Sequence, residues 1–154
     1  MSAFEEKAWL SSYAEWTPPE VELGDDTILD IYDETLAKKS HKSALYFFGK
    51  TTTYAELDRQ IRSCAAGLQA FGVRPGDRVA LVMPNCPQFV ISFIAVLKLG
   101  ASAVAHNPLY TEHELRGQFQ DHGARVAIMW DKAAGNLAGL RKDTPLETLS
   151  LIHI

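Results

Sequence analysis

Cysteine, positive charge and long apolar runs are all in short supply in this chain of 154 residues. Its two cysteines, Cys64 and Cys86, have neither metal-ligand spacing nor a redox CxxC arrangement. That excludes a disulfide framework, and both thiols read as small core side chains in a reducing compartment. Lys plus Arg is 15 against 19 Asp plus Glu, a net charge of −4 with no Lys/Arg cluster. An acidic chain of this kind lacks the electrostatic footprint of a nucleic-acid binder, and no nucleic-acid partner is expected. The longest apolar stretch, 89–105, is interrupted by Lys98 and Gly100. It falls short of the roughly 20 apolar residues of a membrane span and divides into a helix and a strand. The N-terminus, Met1-Ser2-Ala3-Phe4-Glu5-Glu6-Lys7, has no apolar core and is not a secretory signal. The expected location is the cytoplasm, with room for peripheral contact at the inner membrane face.

Familiar catalytic signatures are missing as well. Gly67, Gly72 and Gly76 do not make a dinucleotide fingerprint. Gly49-Lys50-Thr51 is the tail of a phosphate-binding P-loop pattern, but Ala44 stands where that pattern needs its first glycine. The tripeptide reads instead as a hairpin turn centred on Gly49-Lys50. His106, His113 and His122 have the wrong spacing for a zinc protease, so no metal site is expected. No GxSxG elbow or Cys/His pair supplies a nucleophile, so no catalytic residue is assigned. Glu5-Glu6 and Asp25-Asp26 lie on polar stretches and read as solubilising charge.

What the chain does have is regular punctuation. Hydrophobic residues make up 47% and charged residues 22%, the proportions of a globular domain. Residues 1–25, with Trp9, Trp16 and Pro18-Pro19, read as an extended arm. From 26 onward, capping boxes begin at Thr27, Thr53 and Thr111, each followed by helical spacing. The first helix should present Ile28, Ile31, Tyr32, Thr35 and Leu36. The second should bury Leu57, Ile61, Cys64, Ala65, Leu68 and Phe71. A helix from Pro87 is apolar nearly all round and is expected to be deeply buried. The helix after Thr111 carries a sparser stripe of Leu115, Phe119 and His122, the last placed at a helix end that favours a cation. A weak helix is expected over 133–141.

Strands are expected to begin near residues 78, 101, 125 and 149, with a helix in each gap, which is the βαβ rhythm. The stretch at 101–105 reads as a buried strand, and 149–154 as the opening of a further one. The fold class is therefore α/β, a Rossmann-like parallel sheet with helices on both faces. The chain stops inside an apolar run, so 26–154 reads as an incomplete part of a larger domain. Ligands of such sheets collect at the carboxyl ends of the strands. The corresponding residues are Met83-Pro84-Asn85, His106-Asn107-Pro108 and Trp130-Asp131. His106 and Asn107 are the positional candidates for cofactor binding; their alternative roles are a satisfied, partly buried histidine and a turn.

Several segments, in order and spacing, resemble the N-terminal part of the adenylate-forming acyl-CoA ligases. Thr53-Tyr54-Ala55-Glu56-Leu57 is similar to their TYxEL helix start. Residues 72–80 match G(V/L)xxGDRVA. Asn107-Pro108-Leu109-Tyr110-Thr111 with Glu114-Leu115 is similar to NPLYTxxEL of the bacterial long-chain fatty-acid ligases. The resemblance runs over residues 4–148. It implies activation of a fatty acid by ATP with Mg²⁺, and then transfer to coenzyme A. It also implies that the Gly-rich phosphate loop and catalytic lysine of that family lie outside this sequence, so tight binding of ATP, Mg²⁺ or coenzyme A is not expected here. A self-contained α/β binding or interaction module is the competing reading. The purified 154-residue chain, incubated with ATP, Mg²⁺ and a fatty acid, should release no pyrophosphate in a coupled phosphate assay; measurable turnover would contradict this.

Overall fold

The computed structural model describes residues 6–22, 24–136 and 139–152. Among the described residues of the arm, Ala8–Ser12 forms a 3-10 segment and the others have no regular secondary structure. Residues 1–5 and 23 of the arm, together with His153 and Ile154 of the last expected strand, lie outside the described residues.

All three capping boxes form. Thr27 caps α1 (Ile28–Lys39), Thr53 caps α2 (Tyr54–Ala70) and Thr111 caps α4 (Glu112–His122). In each, the threonine oxygen accepts the backbone N–H three residues on, and the acid at that position accepts the threonine's own N–H. Cys86 precedes α3 (Pro87–Lys98), whose first-turn proline has no N–H to leave unpaired. At the far end of α4, Gly123 takes φ 67° and its N–H bonds back to Phe119, a left-handed stop that glycine adopts without side-chain clash.

β1 (Ser43–Phe47) and β2 (Lys50–Thr53) form an antiparallel hairpin. The turn is Phe48-Gly49 rather than Gly49-Lys50, because Lys50 pairs with Phe47 inside the ladder. Four parallel strands make the main sheet: β3 (Arg78–Val82), β4 (Ser102–His106), β5 (Val126–Trp130) and β6 (Thr148–Ile152). Their spatial order is β4-β3-β5-β6.

Alternation along the strands separates two cores. Val79, Leu81, Val126 and Ile128 face α1, α2 and α3. Ala80, Val82, Ala127 and Met129 face α4, with Leu115 and Phe119 above them. Helices therefore cover both faces, as a parallel sheet requires.

Five expectations are corrected. The 101–105 segment is an edge strand with Ser102 and Ala105 exposed, because β4 and β5 lie on opposite sides of β3. The inner stripe of α1 is Leu29, Tyr32 and Leu36, while Ile28 and Ile31 face outward. Lys98 fixes that rotation: its ammonium reaches Asp33 at 2.8 Å and sits 5.3 Å above the Tyr32 ring. In α3 only Ser92, Ile94, Ala95 and Val96 are buried; Phe89, Val90 and Ile91 are half-buried, as a helix on the outside of the sheet must be. In place of a helix over 133–141, the described residues make two 3-10 segments, Asp131–Asn136, which contains Gly135, and Leu140–Lys142, which follows Gly139; residues 137–138 lie outside the described residues. Glycine in a helix interior costs about 1 kcal/mol against alanine. Phe71, counted in the α2 stripe, is exposed as the residue that ends the helix.

Thr53→Ala should lower stability by about 1 kcal/mol in urea unfolding, since the cap it removes is partly buried. An unchanged midpoint would mean that the reciprocal bonds add nothing in water.

Candidate functional site

Parallel register brings the carboxyl ends of the strands level. Val82 is the partner of both His106 and Met129, and Met129 is the partner of Leu151. One step further along, Met83 and Asn107 leave the sheet beside Trp130, the last residue of β5, at neighbouring strand spacings of about 4.8 Å. β3 connects outward to β4 on one side, and β5 connects to β6 on the other. The strand order thus reverses between β3 and β5, and such a switch point opens a crevice at the strand ends.

His106 is the most enclosed of the polar residues at this edge, 7% exposed. Its ring stacks on Phe119, with centroids 5.2 Å apart and planes 21° apart. Nδ1 lies 2.7 Å from Oε1 of Gln118. An amide oxygen only accepts, so this nitrogen donates and Nε2 is left without its proton. His122, at the end of α4, has its ring centre 5.0 Å from that of His106. The N–H of Ala124 donates to its Nδ1 at 3.0 Å, which places the His122 proton on Nε2. Both Nε2 atoms are buried and have no partner among the described residues.

Burial holds the His106 pKa below its ordinary value, against the opposing effect of the Gln118 bond. For His122 burial is again the leading cause, reinforced by His106 and Arg78 and opposed by Asp121; the pKa falls from 6.5 to about 4. His122 is therefore neutral near pH 7. Proximity to the negative end of a helix favours a cation, but burial outweighs it here.

Asn107 is exposed and works locally. Its Oδ1 accepts the N–H of Leu109 at 3.0 Å, and its carbonyl accepts the N–H of Tyr110 at 3.1 Å. This is the Asx turn that its Asn-Pro sequence favours. The residues leaving β3 carry no charge: Met83 is buried, Pro84 half-buried and Asn85 exposed; β5 is followed by the half-buried Asp131 and by Lys132, which lies 5.4 Å over the Trp130 ring. A nucleotide triphosphate needs clustered N–H donors or cations. His106 is committed to Gln118 and Phe119, and Asn107 to its own turn, so these residues do not by themselves fit ATP. Among the described residues no group of three His, Cys, Asp or Glu side chains could hold a metal ion.

The sequence reading did not anticipate Gln118 and His122 as the partners that enclose His106. Their i,i+4 spacing on α4 was the available signal. His113 is exposed, Cys64 half-buried and Cys86 buried. Burial pushes the Cys64 thiol up, against a hydrogen bond with Ser92.

An open parallel sheet with its switch point between β3 and β5 defines a ligand-binding α/β domain of the kind found in nucleotide-using enzymes. The family model described as AMP-binding enzyme matches residues 32–153. A long-chain-fatty-acid–CoA ligase of Bacillus subtilis is 41% identical over 126 residues, 82% of this chain. The chain spans 22% of that relative's length. Among solved structures, an anthranilate CoA ligase in complex with anthranoyl-AMP superposes with a TM-score of 0.77 at 28% identity, over 80% of this chain and 24% of that one. A fatty acyl CoA synthetase of Mycobacterium tuberculosis gives a TM-score of 0.74 at 28% identity, over 79% of this chain and 26% of that one. The chain belongs to the AMP-binding enzyme family.

The histidines predict an acid limit. The unfolded chain binds protons on His106 and His122 more readily than the folded one. Stability should therefore be fully present above pH 6.5 and fall as pH drops toward 4. Denaturant midpoints recorded across that window should show the loss, and His122→Phe should flatten it. An unchanged slope in the variant would assign the acid sensitivity elsewhere.

Proposed function

We propose that this chain is the N-terminal portion of an ATP-dependent, AMP-forming acyl-CoA ligase that acts on long-chain fatty acids. The observation that carries the reading is the 41% identity with the Bacillus subtilis ligase over 126 residues. The complete activity requires ATP, Mg²⁺ and coenzyme A. A carboxylate is a poor electrophile, and a good leaving group on the acyl carbon makes thioester formation feasible. In this reading residues 1–25 are an arm, and 26–154 are the first part of the α/β domain.

The contribution of this portion is positional. β3 and β5 supply a rigid floor beneath the strand-end crevice. His106 shapes one end of that floor from beneath α4, and the Asn107 turn directs the chain from β4 into α4. A cytoplasmic enzyme with peripheral contact at the inner membrane face completes the reading, since its fatty-acid substrate partitions into lipid. Among the described residues no helix is long and apolar enough to cross a membrane.

The test uses the full-length protein from which this portion comes. Supplied with ATP, Mg²⁺, palmitate and coenzyme A, it should form AMP, pyrophosphate and palmitoyl-CoA in equal amounts. Formation of thioester only from aromatic acids would move the substrate class. Absence of pyrophosphate with every acid tried would overturn the ligase reading and favour a binding module.

A further inference from the structure

The β1–β2 hairpin and the segment that leads into it carry two features that the core does not use. The first is its tip. Phe48 is 91% exposed and held at φ 44°, followed by Gly49 at φ 81°. Positive φ at both central residues makes a type I′ turn, for which Asn-Gly is the favoured pair. A bulky side chain in the left-handed region is an outlier, and such outliers point to a role outside packing. Tyr46, two positions earlier, is 75% exposed. Leu45 and Phe47 turn inward against the core, and the Phe47 ring meets Phe48 edge-on at 4.6 Å.

The second feature is charge. Between Thr35 and Ala55 the chain has Lys38, Lys39, Lys42 and Lys50, together with His41, and no Asp or Glu, in a protein of net charge −4. Spread along the sequence they form no run; the Lys42 N–H bonds to the Lys39 carbonyl and the Lys42 carbonyl accepts the Tyr54 N–H, which holds both at the base of the hairpin, while Lys50 pairs with Phe47 beside its tip. All four lysines are exposed. Lys38 pairs with Glu34 on its own helix, and Glu56 near Lys50 is balanced by Arg59. Lys39 and Lys42 have no carboxylate at ion-pair distance among the described residues.

A protruding aromatic tip on a basic base is the arrangement of an interfacial anchor. Rings such as those of Tyr and Phe enter the boundary between headgroups and acyl chains, while lysines meet the anionic phosphates. An acidic protein partner would account for the lysines but not for an aromatic kept at the tip against backbone preference. An apolar groove of about 300 Å³ beside the hairpin, lined in part by Leu45, Phe47, Phe89 and Val90, continues the apolar surface toward α3.

We propose that this hairpin docks the protein on an anionic lipid surface, with Phe48 and Tyr46 inserted and the lysines against the headgroups. The proposal deepens the peripheral contact included in the functional reading above. It is measured without ATP or acyl substrate, so its failure leaves the ligase reading standing, and the converse also holds.

The test is co-sedimentation of the protein with vesicles of equal parts phosphatidylglycerol and phosphatidylcholine, against pure phosphatidylcholine. Binding should require the anionic lipid and weaken with added salt. Phe48→Asn suits the turn better than phenylalanine does, so Tm should hold or rise while the partition coefficient falls about fivefold. Lys42→Gln, also exposed, should lower it about fivefold with Tm unchanged. Absence of binding, equal binding to the neutral vesicles, or binding undiminished in both variants would overturn the proposal. A concentration-dependent dimer abolished by Phe48→Asn would also overturn it, by making a second copy the occupant.

Discussion

Everything in this fold depends on β3 having a parallel neighbour on each side. Val79 to Val82 are wholly inaccessible to solvent, and their backbone groups pair with β4 on one side and β5 on the other. A strand in that position needs apolar side chains on both faces, which Val-Ala-Leu-Val supplies. Small and large side chains alternate by face. Ala80 and Ala127 leave room for Phe119 beneath α4, while Val79 and Leu81 fill the side toward α2 and α3. The same pairing levels the strand ends, so the crevice at the switch point follows from the register of one strand.

Much of this architecture is legible in the amino acids because the signals are local. A threonine followed three residues later by Glu or Asp marked each capped helix, since the reciprocal bonds involve only that one turn. Pro87 and Gly123 marked a start and a stop for equally local reasons. Strand order is different in kind. Ala101 to Ala105 is as apolar as a central strand, yet β4 lies at an edge, because nothing within a strand records which neighbour the next crossover will reach. The phase of α1 was misjudged by one residue for a related reason. Its inward side is selected by Tyr32 beneath Lys98, a contact made across 65 positions of sequence.

At the strand ends the sequence identified the position of His106 but not its surroundings. Its partners Gln118 and His122 come from the next helix, and only the packing of Phe119 brings them close. The result is a pair of neutral imidazoles whose proton positions are set by an amide oxygen and a backbone N–H. Both Nε2 atoms remain without a partner among the described residues. The exposed lysines Lys38, Lys39, Lys42 and Lys50 lie at the end of α1, in the loop after it and on β2, away in sequence from the strand ends.

Native-state hydrogen exchange measured amide by amide tests the central place of β3 most directly. Amides of Val79 to Val82 and their partners in β5 should exchange slowest, near the global unfolding limit. Those of the β1–β2 hairpin and of the edge strands β4 and β6 should open first, since each strand there is paired on one side only. Protection that is uniform across the sheet, or greatest in β6, would contradict an account in which the doubly paired strands β3 and β5 organise the rest.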